Sequence, residues 1–352
     1  MSISMFDTRT MLGIVNEFEK KPKTFLRDRY FSHVVTYDTA KIDVDVVGAD
    51  GRHMAPFVHP KIGGKAVTRE GFKVRTYEAP EVSPFMTTDA EDLLKRTPGE
   101  NIYSSKSPAQ RAVEQLGRDL SKLDDRITRR EEWMCAQALF TGKIDIVGEG
   151  VNDVLNYWPE TVSEQPASTV GTLWTSADAT AKGIMADLRA VKDMIHKLGG
   201  VTPRELIVGR KVRDAFLNIM TDAKLLDMRK VELGHISPRE LPQGVTYYGS
   251  ILDPSLDIYT YDEWYVNEAT GEEQPMVPED KILVASPNVE TTRAYGCVAL
   301  RSGEEVAFYE GQRIPHSWLM QAPQAGRSVQ LKSRPLPIIH QIYGFHVLTA
   351  AE

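Results

Sequence analysis

Histidine and cysteine are the side chains in this sequence best suited to bind a metal or attack a substrate, but their spacing favours neither. The chain has 352 residues, eight histidines and two cysteines. Cys135 and Cys297 form no CxxC pair, so neither a zinc site nor a disulfide framework is indicated. On a strand His340 and His346 would lie about 20 Å apart, which is too far to share one metal ion. We predict packing or surface roles for the histidines.

The other candidates for chemistry are equally weak. The sequence contains no phosphate-binding P-loop and no GxGxxG, HExxH or GxSxG motif. Asp119, Asp124 and Asp125 are close neighbours on a predicted helix, but Arg and Lys surround them, which is typical of a solvated charged surface. His53 and His59 could titrate near neutral pH, although solvated loop positions are the simpler interpretation. We therefore predict no catalytic residue, cofactor or metal, and the chain is not expected to be an enzyme.

Composition excludes further classes of protein. The net charge is −7 and the pI is about 5.7, whereas nucleic-acid binders usually gain affinity from clustered Lys and Arg. The hydrophobic fraction of 41% is enough to build a real core. No apolar run approaches the roughly 18 residues of a membrane helix, and the first residues lack the pattern of a signal peptide. We expect synthesis in the cytosol, no membrane partner and no sequence-specific binding of nucleic acid.

A long amphipathic helix is predicted from Ser107 to Thr141. Its apolar residues recur at steps of three and four, and the rest of its surface carries both signs of charge. At 1.5 Å per residue such a helix spans about 50 Å, more than the depth of a small domain. We interpret it as a rigid spine. The predicted core of this spine consists of Val113, Leu116, Leu120, Leu123 and Ile127.

Two segments before the spine carry apolar side chains that they cannot bury alone. In the first forty residues, aromatic rings alternate with arginines. From Lys41 a two-residue alternation predicts a strand, and a second strand returns near Phe72, so a long β-hairpin is indicated. A two-stranded hairpin is marginally stable in water. We therefore predict that both segments contact other subunits, through Phe25, Arg27, Tyr30, Phe31, Val44, Val46, Phe57, Phe72 and Val74.

A mixed α/β region follows the spine. Ala179 to Leu198 is predicted to be an amphipathic helix, capped by Thr175, Ser176 or Asp178. A further helix is predicted over Val212 to Met220. Strands are predicted at Glu205–Val208, Val245–Tyr248, Leu256–Val266, Lys281–Ala285 and within Leu336–Leu348.

The order of short motifs along the chain resembles one known family. Tyr265-Val266 is followed by Pro278-Glu279-Asp280, then by Ile282-Leu283-Val284, and then by Arg293-Ala294-Tyr295-Gly296-Cys297. Near the start, Thr24-Phe25-Leu26-Arg27 precedes Tyr30-Phe31. This series, with the charged spine between its two parts, resembles the major capsid proteins of lambda-like tailed phages.

The resemblance implies an α+β architecture, the Johnson fold of tailed-phage capsids (Hong Kong phage type). It implies an N-terminal arm and an extended hairpin called the E-loop. It also implies a P-domain built on the spine helix and an α/β A-domain. The implied boundaries are 1–40 for the arm, 41–85 for the E-loop, 86–145 for the P-domain, 146–295 for the A-domain and 296–352 for C-terminal strands that return to the P-domain.

The function implied by the resemblance is structural. The subunits are expected to form hexamers and pentamers of an icosahedral head that encloses double-stranded DNA without binding it specifically. Expected partners are a separate scaffolding protein, a portal, and a decoration protein near the arm and hairpin. We expect assembly in the host cytoplasm and final location in the virion capsid. Two alternatives stay open, an encapsulin-like shell around a cargo protein and a soluble α/β enzyme; packaged contents would distinguish the two kinds of shell.

Overall fold

The computed structural model describes most of the chain, with gaps. The longer described ranges are 24–47, 72–95, 107–223, 244–251, 253–268, 270–302, 305–320 and 326–352. Residues 8, 11, 54, 55, 57–59, 64, 226, 227 and 239–241 are described as well. Residues 12–23 and most of residues 48–71, including His53, lie outside the described ranges.

The described part of the chain contains five α-helices, all before Ala223, and strands along most of its length. The helices are α1 (Leu26–Tyr30), α2 (Ala90–Leu94), α3 (Pro108–Phe140), α4 (Ala181–Gly199) and α5 (Arg210–Asp222). The strands are β1 (Val34–Thr36), β2 (Lys41–Val47), β3 (Phe72–Glu78), β4 (Phe85–Asp89), β5 (Lys143–Gly148), β6 (Val151–Asn156), β7 (Ala167–Thr169), β8 (Glu205–Val208), β9 (Leu226–Asp227), β10 (Arg239–Leu241), β11 (Val245–Ile251), β12 (Leu256–Tyr261), β13 (Trp264–Val266), β14 (Glu273–Pro275), β15 (Lys281–Ala285), β16 (Thr291–Tyr295), β17 (Val298–Ser302), β18 (Glu305–Tyr309), β19 (Ile314–Leu319), β20 (Gly326–Lys332), β21 (Pro335–Ile339) and β22 (His346–Thr349).

The predicted spine is helix α3, and local sequence determines both of its ends. The side chain of Ser107 accepts a hydrogen bond from the backbone N–H of Gln110, and the Gln110 side chain accepts one from the backbone N–H of Ser107. This reciprocal pair is a capping box, and Pro108 follows it at the first helical position. The helix stops before Gly142, whose φ of 65° suits glycine. A Cβ at Gly142 would also overlap the Trp158 ring.

The apolar stripe of α3 packs against a three-stranded sheet in the order β19–β20–β4. Leu116, Leu120, Leu123 and Ile127 are buried with residues of β20, as predicted. Val113 is 40% exposed, so its assignment to the core was wrong. It precedes the part of the helix that the sheet covers, and packing begins at Leu116. The buried residues that complete this cluster are Met11, Val329 and Leu331.

The largest sheet has eight strands and carries most of the α/β region. Its order is β10–β11–β12–β8–β15–β22–β7, with β9 also paired to β11. Helices α4 and α5 share a buried apolar cluster with strands of this sheet. The N-cap of α4 is Thr180, which accepts from the N–H of Gly183, rather than any of the three residues predicted.

The C-terminal strands divide between two parts of the fold. Strands β20 and β21 contribute residues to the clusters that also contain α3, as expected for strands that return to the spine. Strand β22 instead pairs with β15 and β7 inside the eight-stranded sheet. The expectation that all of 296–352 returns to the spine was therefore wrong for the last strand. Its residues Val347 and Leu348 point to opposite faces and both are buried, as in a central strand covered on two sides.

The stability of the subunit should depend on the buried part of the spine stripe. We expect Leu120→Ala to lower the free energy of unfolding by about 2 to 5 kcal/mol, because it opens a cavity in a buried cluster. Val113→Ala, the matched control on the same helix, should change it by less than about 1 kcal/mol. Urea unfolding of unassembled subunits measures both. Equal losses would contradict the packing of α3.

His346 is a buried titratable group in the largest sheet. It is 2% exposed, and its Nε2 lies 2.8 Å from Ser168 Oγ. Burial lowers the pKa of His346 to about 4, from an ordinary value of 6.5. Above pH 6.5 the side chain is neutral in both folded and unfolded chains. As the pH falls from 6.5 to 4, the unfolded chain binds a proton that the folded chain does not, so stability is lost in that window.

Comparison with His346→Gln should isolate this contribution. Relative to the variant, the wild type should lose about 3 kcal/mol of unfolding free energy between pH 6.5 and pH 4. His33→Gln, which removes an exposed histidine, should follow the wild type. Urea unfolding at a series of pH values tests this, and parallel curves for wild type and His346→Gln would refute it.

Candidate functional site

The aromatic part of the arm lies on its own chain. Tyr30 and Phe31 are buried, and the Tyr30 ring meets the edge of Phe345 at 5.8 Å between centroids. Phe25 packs against Tyr259 and Tyr261 at 5.8 and 5.7 Å. The prediction that Tyr30 and Phe31 contact another subunit was therefore wrong, because the body of the same subunit supplies the apolar surface that covers them.

A buried carboxylate on the spine holds the start of this segment. The side chain of Glu132 accepts hydrogen bonds from the backbone N–H groups of Phe25, Leu26 and Arg27, at 3.0, 2.8 and 2.8 Å. These are donors at the start of α1 that the helix itself leaves unpaired. Burial raises the pKa of Glu132 above its ordinary value, although the three N–H groups oppose the shift. The contact fixes the backbone of the arm to α3.

The neighbouring Glu131 carries a buried ion network. Arg27 Nη1 lies 2.8 Å from one carboxylate oxygen, and Arg313 Nη1 lies 2.6 Å from the other. Tyr295 Oη donates to Glu131 at 3.0 Å. Burial alone would raise the pKa of Glu131, but Arg313 and Arg27 hold it below its ordinary value. Arg27, predicted to contact another subunit, is thus committed to a partner in its own chain.

A third carboxylate connects the arm to the largest sheet. Glu205 is the first residue of β8 and is 3% exposed. It accepts from Arg29 Nε at 2.8 Å and from the hydroxyl of Tyr30 at 2.7 Å, and the Nη2 of Arg29 contacts its other oxygen. Sequence reasoning missed Glu131, Glu132 and Glu205. One signal was present, because Glu131 lies four residues after Ile127 and so falls within the apolar stripe.

The hairpin is anchored at its base. Strands β2 and β3 pair in antiparallel register from Lys41 opposite Glu78 to Val47 opposite Phe72, as predicted. Ile42 and Val44 are buried in the core cluster that contains Tyr77. Val44 was expected at a contact between subunits, but its own chain buries it. The base of the hairpin is thus part of the body.

The side chains that the structure describes in the distal part of the hairpin are exposed. Val74 is 54% exposed and Phe57 is fully exposed, with Met54 beside it at 92%. The side chains of Val46 and Phe72, which were also predicted to contact another subunit, are not among those that the structure describes. Contact of Phe57 and Val74 with another subunit remains a prediction, and it now concerns the distal hairpin alone.

Further exposed apolar side chains lie on two other surfaces. Val306 and Phe308 are exposed on the β17–β18 ribbon. Phe85 is exposed on β4, next to Trp318 with ring centroids 5.9 Å apart. Contiguous exposed apolar surface commonly marks a protein interface. Side chains alternate between the two faces of each strand, so the sequence shows which residues share a face. Only the structure shows which of the two faces is exposed.

The described residues contain no obvious site for chemistry. Within them, no three His, Cys, Asp or Glu side chains lie close enough together to hold a metal ion. Burial raises the pKa of the Cys135 thiol well above its ordinary value, which disfavours the reactive thiolate. None of the helices described is both long and apolar enough to cross a lipid bilayer.

Comparisons with known proteins agree along nearly the whole chain. The family model described as phage major capsid protein E matches residues 7–349. The chain is 20% identical over 342 residues to the major capsid protein of Enterobacteria phage P21, covering 96% of both chains. It is 19% identical over 339 residues to the major capsid protein of Escherichia phage N15, with the same coverage.

Two solved structures share its fold. The putative capsid protein of a prophage of Escherichia coli CFT073 aligns with a TM-score of 0.71 at 18% identity, covering 98% of this chain and 99% of that chain. A phage-related protein of Bordetella bronchiseptica aligns with a TM-score of 0.54 at 12% identity, covering 97% of this chain and 96% of that chain.

The Glu132 contact predicts a measurable loss of arm docking. In Glu132→Gln the amide NH₂ would face a backbone donor, so we expect the free energy of unfolding to fall by about 2 to 3 kcal/mol. Hydrogen exchange should become faster at the amides of Phe25 to Arg27. Glu114→Gln, on the same helix, removes a solvated partner of Arg118 at 3.9 Å and should cost less than about 1 kcal/mol. Unchanged exchange in Glu132→Gln would refute the contact.

Proposed function

The chain belongs to the phage major capsid protein E family, and we propose that its subunits join through the exposed distal hairpin rather than through the docked arm. It is a major capsid protein of a phage head, with a structural and non-enzymatic role. The predicted α+β capsid fold is confirmed. The family also decides against the enzyme alternative. What remains to be proposed is how the subunits assemble.

The observation that carries the proposal is the exposure of Phe57. An apolar ring left in water forgoes roughly 25 cal/mol for each Å² that could be buried. Met54 and Val58 are also exposed on the same segment. A monomer rarely presents such a cluster at the end of a hairpin, whereas a subunit of a shell can bury it against a neighbour.

The geometry of the hairpin supports the same proposal. Its base is held in place because Ile42 and Val44 are buried in the body, whereas Phe57, which lies between the two strands in the chain, is exposed. An exposed apolar segment with a fixed base can contact an adjacent subunit while its base keeps its own orientation. Interfaces in permanent assemblies commonly bury 2,000–5,000 Å², so the exposed faces of β4 and of the β17–β18 ribbon are proposed as additional contacts.

We also propose a revised division of the chain. Residues 41–85 form the E-loop, 86–145 the P-domain around α3, and 146–295 the A-domain, to which β22 is added. Residues 24–33 of the arm belong to the body. Residues 296–339 contain the strands that cover α3. These boundaries rest on the pairing of β22 with β15 and on the burial of α1.

The proposed assembly consists of hexamers and pentamers in an icosahedral head. The proposed content is double-stranded DNA held without specific binding, which is consistent with a net charge of −7. A scaffolding protein, a portal and a decoration protein are proposed partners on the basis of the family resemblance. Assembly is proposed to take place in the host cytoplasm, before the subunit becomes part of the virion capsid.

Deletion of residues 51–71 tests the proposed role of the hairpin. The variant should fold, because it keeps Ile42 and Val44, which anchor the hairpin base in the core, but it should form no shells. Electron microscopy and sedimentation of protein coexpressed with its scaffold measure assembly, and urea unfolding measures folding. Glu268→Ala, a substitution at an exposed side chain outside the hairpin, should assemble normally. Shells formed by the deletion variant would overturn the proposal.

A further inference from the structure

A polar cavity of about 270 Å³ lies where the arm, the spine and the largest sheet meet. Helix α3 contributes Thr128 and Glu132 to its lining, the arm contributes Thr24, and the sheet contributes Tyr261 at the end of β12. Met276 also lines it, and all five residues are more than nine-tenths buried. A water molecule occupies about 30 Å³ in the liquid, so the cavity has room for a small organic ion.

The charged side chains that line this cavity are mainly acidic. They are the carboxylates of Asp125, Glu132 and Glu263 and the guanidinium of Arg129. Asp125 and Arg129 are exposed, so the cavity is open to solvent on their side. Arg129 lies 3.8 Å from the carboxylate of Glu263. Three carboxylates and one guanidinium give the lining an excess of negative charge, which favours a cation as ligand.

Glu132 differs from the other buried carboxylates of this region in having no cationic partner. Glu131 pairs with two arginines and Glu205 with one. Glu132 is 1% exposed and accepts three backbone N–H groups, but no ion pair among the described residues involves it. The N–H groups supply partial positive charge only. A cation in the adjoining cavity would supply the full charge that a buried carboxylate requires.

A buried hydroxyl in the same lining also lacks a partner. Tyr261 is 4% exposed, and its hydroxyl makes no hydrogen bond of normal geometry among the described residues. Burial and the nearby charge of Glu132 raise the pKa of Tyr261 well above its ordinary value, so this hydroxyl keeps its proton. A buried hydroxyl without a partner costs free energy. An N–H group of a ligand that donates to the Tyr261 oxygen would remove that cost.

The placement of the acidic side chains distinguishes between kinds of cation. Within the described residues, no three His, Cys, Asp or Glu side chains are close enough together to hold a metal ion. Metal ions such as Ca²⁺ need several oxygen ligands at about 2.3–2.6 Å. An ammonium group instead donates three separate hydrogen bonds at longer distances. The side chain of Met276 and the ring of Tyr261 add apolar surface for a carbon chain.

We propose that this cavity binds an alkylammonium ion, whose N–H groups donate to the Tyr261 oxygen and the Glu263 carboxylate while its charge balances that of Glu132. The alkyl chain lies along Met276. Because the bound ion contacts the arm, the spine and the sheet together, it should stabilise the docked arm. The proposal concerns the single subunit and does not depend on how subunits assemble.

Calorimetric titration of the full, unassembled chain at constant ionic strength tests the site. Butylammonium is the probe, and 1-butanol, which has the same carbon chain without the charge, is its control. Butylammonium should bind saturably, with one ion per subunit, and 1-butanol should not bind. Saturation with butylammonium should also slow hydrogen exchange at the amides of Phe25 to Arg27. Absence of saturable binding, or equal binding of the alcohol, would overturn the proposal.

Two variants locate the binding site. Tyr261→Phe keeps the ring and should weaken butylammonium binding at least tenfold, because a hydrogen bond to a charged group is lost. Glu263→Gln should weaken it about fivefold, since its side chain is partly exposed. The matched controls are Tyr265→Phe, which removes a hydroxyl that donates to Gln274 at 2.8 Å outside the cavity lining, and Glu268→Gln at an exposed carboxylate.

The controls should bind butylammonium as the wild type does. If both cavity variants also bind it with wild-type affinity, the amine binds elsewhere on the acidic surface and the proposal is wrong. Urea unfolding of each variant identifies any loss of binding that comes from loss of folding. Glu263→Gln keeps the test decisive if Tyr261→Phe does not fold, because residue 263 is not part of the buried core.

A last titration identifies the source of the ammonium group, which is either a free amine or a lysine side chain of another protein. Nα-acetyl-lysine methylamide carries the same group on a peptide-like backbone. Weaker binding than that of butylammonium would support the site and assign it to a free amine. Tighter binding would support the site and assign it to a lysine side chain. Failure of both compounds to bind would contradict an alkylammonium site.

Discussion

The pairing of buried carboxylates on the spine with the arm is the interaction on which the subunit structure depends. Glu132 binds three backbone N–H groups, and Glu131 binds Arg27 and Arg313. Moving a charged group from water into the protein interior costs free energy unless the group is paired there. Here each partner comes from a different part of the chain, so the network forms only when arm, spine and C-terminal region are all in place. It therefore specifies one arrangement of these parts.

This network explains why the two extensions differ. The arm donates hydrogen bonds to carboxylates inside the body, and the aromatic rings of Tyr30 and Phe31 are buried beside these contacts. The distal hairpin presents an exposed ring and a basic sequence, and the described part of its own subunit does not cover that ring. Capsid assembly requires surfaces that stay exposed in the monomer and become buried in the shell. The hairpin meets this requirement, while the arm from Thr24 to Phe31 serves the stability of the single subunit.

Local structure was largely predictable. The apolar spacing predicted the helix from Ser107 and its buried face from Leu116 to Ile127. Alternation predicted the strands of the hairpin, and the run from Lys281 to Ala285 was correctly predicted to be a strand. Two of the errors have different causes. Val113 continues the periodic pattern but lies beyond the covering sheet, and Thr180 competes with earlier capping residues that sequence alone ranks equally.

The sequence by itself determined the spine and the hairpin, because these follow from patterns among residues close together in the chain. It also indicated the family and the α+β class, through the resemblance of motifs placed along most of its length. Tertiary structure alone decided which apolar residues are covered and by what. Arg313 lies 182 positions from Glu131 and Glu205 lies 176 positions from Arg29, and no local pattern links such pairs. The burial of Tyr30, the exposure of Phe57 and the cavity beside Glu132 all depend on those distant contacts. A periodic sequence shows that a face is apolar, but only the folded chain shows whether that face is already occupied.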